Sequence, residues 1–131
     1  MMFRRAIALF LAVFVAASAQ AAQVNWGASE TNSVALSTGT LLPVGNLVRV
    51  GSFSITDAEI IANKTNFSFL TSKFTEFGHA AVGDNVGGLA GLWFANTTAS
   101  SNALGIANKR IYYFLYNVPS GSTPTQIGIY T

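Results

Sequence analysis

The segment that most constrains the fold is the run IYYFLY at residues 111–116. Its apolar side chains occupy both odd and even positions, so a strand here presents apolar groups to both faces of a sheet. Such a strand needs cover on two sides, which predicts a central position in a layered structure. Lys109 and Arg110 directly precede the run, and flanking charges of this kind are typical of residues that oppose aggregation.

Alternating side chains predict further strands around this central one. In residues 47–55, Val48 and Val50 share one face, and Gly51 precedes a change of face at Phe53. A glycine at such a change predicts a β-bulge. Further strands are predicted at residues 22–26, 34–36, 89–95 and 125–131, and a polar loop at residues 96–107.

The spacing of apolar residues changes after the predicted strand at residues 47–55. Thr56 and Glu59 have the spacing of a capping box, in which each side chain satisfies a free backbone N–H at a helix start. A helical face follows, with apolar residues at Ile60, Phe67, Leu70, Phe74 and Phe77. Gly78 suits the position after the helix end, and the segment at residues 63–66 divides it into two short helices if its polar residues interrupt the helix.

We therefore predict a mainly β fold with a helical insertion near residues 56–78. The sheet is expected to be an antiparallel β-sandwich or an open sheet packed by one or two helices. The predicted core comprises Trp26, Val50, Phe53, Leu70, Phe74, Leu92, Phe94, Ile111, Tyr113 and Leu115.

The first 21 residues have the three-part order of a secretory signal peptide. A basic head at residues 1–5 precedes an apolar run at residues 6–17, and small residues follow at Ala17 and Ala19 or at Ala19 and Ala21. The run is shorter than the roughly 20 residues that span a membrane. We expect Sec-type export, with the Sec translocon and signal peptidase as transient partners; an uncleaved anchor and the twin-arginine route, suggested by Arg4 and Arg5, are the alternatives. Residues 22–131 then form one secreted or cell-surface domain.

Composition excludes several classes of function. The chain has no cysteine and one histidine, which rules out a thiolate zinc site, an iron–sulfur cluster and disulfides. Removing Arg4 and Arg5 leaves five basic and five acidic residues, so the mature domain lacks the excess of positive charge that binds nucleic acid. No spacing of oxygen ligands or glycines matches a calcium, phosphate or dinucleotide site. We expect neither a metal nor a cofactor.

Few residues are candidates for catalysis. His79 is the only histidine, Glu76 lies three positions before it and is expected to be nearby, and Asp57 and Asp84 are further acids. No nucleophile motif accompanies them, so we interpret His79 as a surface residue just beyond a helix C-terminus. A secreted hydrolase that uses His79, or an acid pair such as Glu76 and Asp84, is the least favoured function.

Aromatic side chains offer a second type of site. Trp26 and Trp93, if exposed, would form a platform on which the apolar face of a sugar stacks, although aromatic residues in strands are more often core. Asn63, Asn66 and Asn96 match the N-glycosylation pattern, and in a bacterial protein we expect these sites to be unused.

Several stretches, in order, resemble the exported PEP-CTERM family of environmental Gram-negative bacteria. The matching stretches are Val24-Asn25-Trp26, Val50-Gly51-Ser52-Phe53, Phe74-x-x-Phe77-Gly78, Lys109-x-Ile111-Tyr112 with Tyr116-Asn117, and Thr125-Gln126-Ile127-Gly128-Ile129-Tyr130. Members of that family carry a signal peptide, a β-rich domain and a C-terminal sorting tail with a Pro-Glu-Pro motif, which an exosortase processes. None of the matching stretches is catalytic.

The resemblance implies an exported protein that acts at the cell surface. The sorting tail of the family does not occur in these 131 residues, and we expect the domain to be truncated at its C-terminus. The function expected is that of a non-enzymatic cell-surface or extracellular-matrix protein, and the alternative is a carbohydrate- or polymer-binding module with exposed aromatic residues. Polysaccharide and matrix components are the expected partners.

Overall fold

The computed structural model describes residues 22–99 and 108–131. The predicted signal peptide at residues 1–21 and most of the predicted loop at residues 96–107 lie outside that range. The described residues form two antiparallel sheets and two short α-helices. The predicted class, mainly β with a helical insertion, is confirmed.

The sheets differ in size. Four strands form the larger sheet in the order β3-β2-β5-β6, and β1 pairs with β4 in a two-stranded ribbon. The elements in chain order are β1 (Ala22–Ala28), a 3-10 helix (Glu30–Asn32), β2 (Leu47–Phe53), α1 (Asp57–Ala62), α2 (Phe67–Lys73), β3 (Phe74–Ala81), β4 (Trp93–Ala99), β5 (Tyr112–Tyr116) and β6 (Ile127–Tyr130). Within the described residues, no helix is both long enough and apolar enough to cross a membrane.

The larger sheet is covered on both faces. The ribbon covers one face and forms what we call the ribbon-side core, made of Trp26, Leu42, Val48, Val50, Ala80, Val82, Trp93, Ala95 and Leu115. The helices cover the other face and form the helix-side core, made of Phe53, Ile60, Leu70, Phe74, Tyr112, Phe114 and Tyr116. The domain thus has three layers: ribbon, sheet and helices.

The central strand lies where the sequence predicts it. β5 is hydrogen-bonded to β2 on one side and to β6 on the other. Leu115 belongs to the ribbon-side core, whereas Phe114 and Tyr116 belong to the helix-side core. The apolar residues on each face of β5 are therefore buried, as its two-sided pattern requires.

Two predicted core residues are exposed. Phe94 is 47% exposed because Trp93 and Ala95 face the sheet and the residue between them must point outwards. The ribbon is covered on one face alone, so the outward side chain stays in solvent. Ile111 is 42% exposed because it precedes the first residue of β5. The prediction that these two residues are core is wrong.

The helical insertion begins as the sequence predicts. The hydroxyl of Thr56 accepts a hydrogen bond from the backbone N–H of Glu59 at 3.3 Å, and the carboxylate of Glu59 accepts one from the backbone N–H of Thr56 at 2.8 Å. Asn63 ends α1, and the side chain of Asn66 accepts from the N–H of Phe69 to cap α2. Residues 63–66 therefore divide the segment into two helices.

The insertion ends earlier than predicted. Helix α2 stops at Lys73, and residues from Phe74 onwards form strand β3 against β2. The ladder between these strands provides hydrogen-bond partners for backbone groups that, in a longer helix, would pair within the helix. Phe74 still packs in the helix-side core, as its position on the helical face predicts, whereas Phe77 packs on the ribbon side.

A bulge occurs at the predicted register but in the partner strand. Val50 pairs with Gly78 and Gly51 pairs with Glu76, so Phe77 is the extra residue, in β3. Gly51 is required for another reason: a Cβ there would lie 2.1 Å from the carbonyl oxygen of Thr75. The extra residue changes which face the later side chains of β3 occupy.

Candidate functional site

A hollow lies at one end of the helix-covered face. It has a volume of about 720 Å³, and its floor is formed by β2, β3 and β5. Helix α2 forms one wall, and residues 120–124 form the other. We call this hollow the groove. Six serine and threonine residues line it: Ser68, Thr71, Ser72, Ser120, Ser122 and Thr123.

Arg49 is the central side chain of the groove floor. It alternates in β2 with the buried Val48 and Val50, so it projects to the opposite, helix-covered face. Its Nε donates a hydrogen bond to the carboxylate of Glu76, and its Nη1 donates to the hydroxyl of Tyr116 at 3.0 Å. Its guanidinium also lies 4.9 Å from the centre of the Phe74 ring, a cation–π contact.

His79 completes the chain of contacts. Its Nδ1 lies 2.7 Å from Oε1 of Glu76, while Oε2 of the same carboxylate receives Arg49. In a regular strand, residues three positions apart lie on opposite faces. The extra residue Phe77 cancels one step of that alternation, and Glu76 and His79 therefore share the groove face.

The contacts keep both charged partners ionised. Burial alone would raise the pKa of Glu76, but hydrogen bonds from His79 and Arg49 and their charges outweigh it and hold this pKa below its usual value. Burial would likewise lower the pKa of Arg49, but its bonds to Glu76 and Tyr116 raise it. The floor of the groove thus contains an ion pair whose two charges offset each other, with the imidazole of His79 beside it.

Both tryptophans lie in the core instead of on a surface. Trp26 is 3% exposed and Trp93 is 2% exposed. The indole N–H of Trp26 donates to the hydroxyl of Thr97 at 3.0 Å, and both rings pack against Tyr113 at centroid distances of 6.0 Å. Trp93 borders a second hollow of about 480 Å³, but a ring this deeply buried leaves no face for a sugar. The predicted stacking platform at these two residues is not formed.

The other catalytic candidates are dispersed. The carboxylate of Asp84 accepts from the backbone N–H of Ala81 at 2.8 Å, and Asp57 binds the hydroxyl of Tyr112 and the guanidinium of Arg110. Neither acid lines the groove. The proximity of Glu76 and His79 is confirmed, although His79 lies within β3 and the prediction that it follows a helix is wrong.

The side chains of all three glycosylation-pattern asparagines form hydrogen bonds within the protein. The side chain of Asn63 donates to the carbonyl oxygen of Glu59 at 2.8 Å, and Asn66 caps α2. Asn96 donates to the side chain of Asn25 across the ribbon at 2.6 Å. These contacts explain asparagine at each position without a modification.

Sequence reasoning missed Arg49 and Tyr116. Arg49 pairs with Glu76, 27 positions away, and with Tyr116, 67 positions away. No local spacing in the sequence reveals these pairings. A lone arginine between two valines of a predicted strand is nevertheless a signal, because the half-buried face it occupies calls for an acidic partner. Across residues 22–99 and 108–131, no three histidine or acidic side chains cluster as a metal site.

Comparisons with models of protein families, with curated proteins and with solved structures found no match to this chain.

Proposed function

We propose that this chain is an exported, non-enzymatic cell-surface or extracellular-matrix protein that binds a ligand in the groove. The signal-peptide pattern of residues 1–21 and the resemblance to the PEP-CTERM family support export. The observation that carries the binding role is the network on the groove floor, where Arg49, Glu76 and Tyr116 hold one another in place. Side chains fixed in this way recognise a ligand at little entropic cost.

The same network argues against acid–base turnover. Glycoside hydrolysis needs two carboxyl groups across the substrate, one of them protonated. Glu76 is held ionised between Arg49 and His79, and the groove has no second acid among the described residues that line it. A binding role uses Glu76 as a fixed acceptor, for which its ionised state is suitable.

A hydrolase is the second candidate, and the contact between His79 and Glu76 favours it. A histidine whose Nδ1 faces a carboxylate is the oriented base of a nucleophilic triad, and hydroxyl groups line the same groove. Nevertheless, no hydroxyl among the described residues is within hydrogen-bond distance of His79, and 66% of its side chain is exposed.

Two measurements test the proposal separately. Expression of the full chain in a Gram-negative host, followed by N-terminal sequencing of the exported protein, is expected to show a mature start at Gln20 or Ala22. A protein that stays inside the cell and still begins at Met1 would overturn export. Assays of the purified protein with ester, amide and glycoside substrates are expected to show no turnover. Turnover that disappears in the combined variant Glu76→Gln, His79→Ala and Asp84→Asn would establish the hydrolase.

The carbohydrate- or polymer-binding alternative is compatible with the groove. It requires an accessible aromatic surface, which Trp26 and Trp93 do not supply. Phe67 lines the groove at the start of α2 and is half-buried, so part of its ring is accessible. The alternative therefore moves from the two tryptophans to the groove.

A further inference from the structure

We infer that the groove binds an uncharged carbohydrate chain, an inference that rests on the binding role proposed above. The site consists of the ion pair of Arg49 and Glu76, the hydroxyl of Tyr116, the hydroxyl-rich walls and the ring of Phe67. Each of these groups matches one property of a sugar.

The charge of the groove favours a neutral ligand. Among the described residues that line it, Arg49 and Glu76 carry opposite charges and pair with each other, and the second oxygen of Glu76 contacts the imidazole of His79. An anionic ligand would have to compete with Glu76 for Arg49, and a cationic ligand would have to compete with Arg49 for Glu76. Breaking a partly buried ion pair leaves the displaced charge unpaired, which is costly.

The hydrogen-bonding groups suit a ligand that both donates and accepts. A sugar hydroxyl is a donor and an acceptor at once, as are the serine and threonine hydroxyls of the groove walls. Glu76 adds a charged acceptor, and the guanidinium of Arg49 adds donors in a planar arrangement. Hydrogen bonds to these charged groups are the strong ones in a site of this type.

The apolar part of the groove suits the C–H face of a sugar ring. Phe67 supplies an aromatic ring, and the half-buried Leu47 and Pro124 lie along the same groove. A volume of about 720 Å³ falls within the range of roughly 300–1,000 Å³ that small-molecule sites occupy. The open shape of the hollow leaves room for a chain to continue beyond it.

The test is calorimetric titration of the purified exported protein with neutral oligosaccharides of glucose, mannose, galactose and N-acetylglucosamine. Tryptophan fluorescence is a poor readout, because neither tryptophan lines the groove. We expect binding to at least one neutral oligosaccharide. The variants Glu76→Gln and Phe67→Ala are each expected to raise its Kd about tenfold or more.

Phe94→Ala is the matched control for Phe67→Ala. Phe94 is also an accessible phenylalanine, but it lies on the outer face of the ribbon, and its removal is expected to leave the Kd within about twofold. If Phe94→Ala abolishes binding and Phe67→Ala does not, the site is on the ribbon and the inference is overturned. Changes in the amide chemical shifts of the unsubstituted protein on addition of the oligosaccharide locate the site independently. These changes must concentrate in α2, β3 and residues 120–124.

Two further outcomes overturn the inference. Tighter binding of oligogalacturonate than of neutral oligosaccharides would show that the ion pair opens for an anion. Absence of binding to the whole neutral panel would exclude the ligand class. Neither outcome touches export, which N-terminal sequencing decides, or the absence of turnover, which the substrate assays decide, so the two proposals fail independently.

Discussion

The two faces of the four-stranded sheet are covered in different ways. On the ribbon side, a continuous pair of strands places two tryptophans over valines and a leucine and closes the face. On the helix side, two helices of six and seven residues cover an aromatic cluster and leave the neighbouring part of β2 and β3 open. The charged network occupies that opening. Short helices therefore give this domain both a core and a site on one face.

The helix-side core is also the more aromatic of the two. Phe114 stacks with Tyr116 at a centroid distance of 4.7 Å and meets Phe74 edge-on at 5.3 Å. Such pairs add about 0.5–1.5 kcal/mol beyond the area they bury. Because Tyr116 also binds Arg49, the aromatic packing positions one member of the groove network.

The largest expected effect comes from removing the centre of the helix-side core. Phe114 is fully buried, and Phe114→Ala is expected to lower the free energy of unfolding by about 3–5 kcal/mol through lost burial and a cavity. Urea denaturation measures the change. Phe94→Ala removes the same side chain from an exposed position and is expected to cost less than about 1 kcal/mol. Equal losses in the two variants would contradict the assignment of the core.

A smaller effect is expected where the ribbon approaches the sheet. A Cβ at Gly78 would lie 2.3 Å from the hydroxyl oxygen of Thr97. Gly78→Ala is therefore expected to lower the free energy of unfolding by about 1–3 kcal/mol through overpacking. The loss is expected to shrink in a Thr97→Ala background, which removes the clashing atoms. An identical loss in both backgrounds would show that the ribbon does not contact β3 there.

The smallest effect concerns the open end of the helix side, and it depends on pH. The pKa of Glu76 is below 4.5 in the folded state, so its ionised form stabilises the protein above pH 4.5, and this contribution is lost as the pH falls through the folded value. At pH 7, Glu76→Gln is expected to cost about 1 kcal/mol, because the pair is partly exposed and screened. The difference from the unsubstituted protein is expected to vanish in acid.

Urea denaturation at pH 7 and at lower pH values checks this dependence. Glu30→Gln is the control, because Glu30 lies in the exposed 3-10 helix and forms no ion pair among the described residues. A deficit for Glu76→Gln that stays constant from neutral to acid pH would mean that the ion pair does not stabilise the folded state.

The class of fold could be predicted because its signals are local. The two-sided apolar run identified β5, and the spacing of Thr56 and Glu59 identified the start of α1. The end of the insertion could not, because residues 74–77 continue the helical spacing and only pairing with β2 makes them a strand. Long-range hydrogen bonding overrides local periodicity at this point.

The site was predictable only in part, for the same reason. Glu76 and His79 are three positions apart in the sequence, so their proximity was predicted, but the bulge that places them on one face was not. Arg49 and Tyr116 reach the site from other strands, and their pairing depends on strand order. Burial of Trp26 and Trp93 follows from the position of the ribbon, which no local pattern specifies.

The pairing of β1 with β4 also predicts an order in which the parts of the domain fold. Their paired residues Asn25 and Asn96 are 71 positions apart, whereas β2, both helices and β3 form one stretch of 35 residues from Leu47 to Ala81. Closing the longer loop costs more entropy and slows the contact. We expect the stretch from β2 to β3 to assemble first and the ribbon to dock afterwards. Because both tryptophans belong to the ribbon, their fluorescence would mark a step that follows the assembly of β2 to β3.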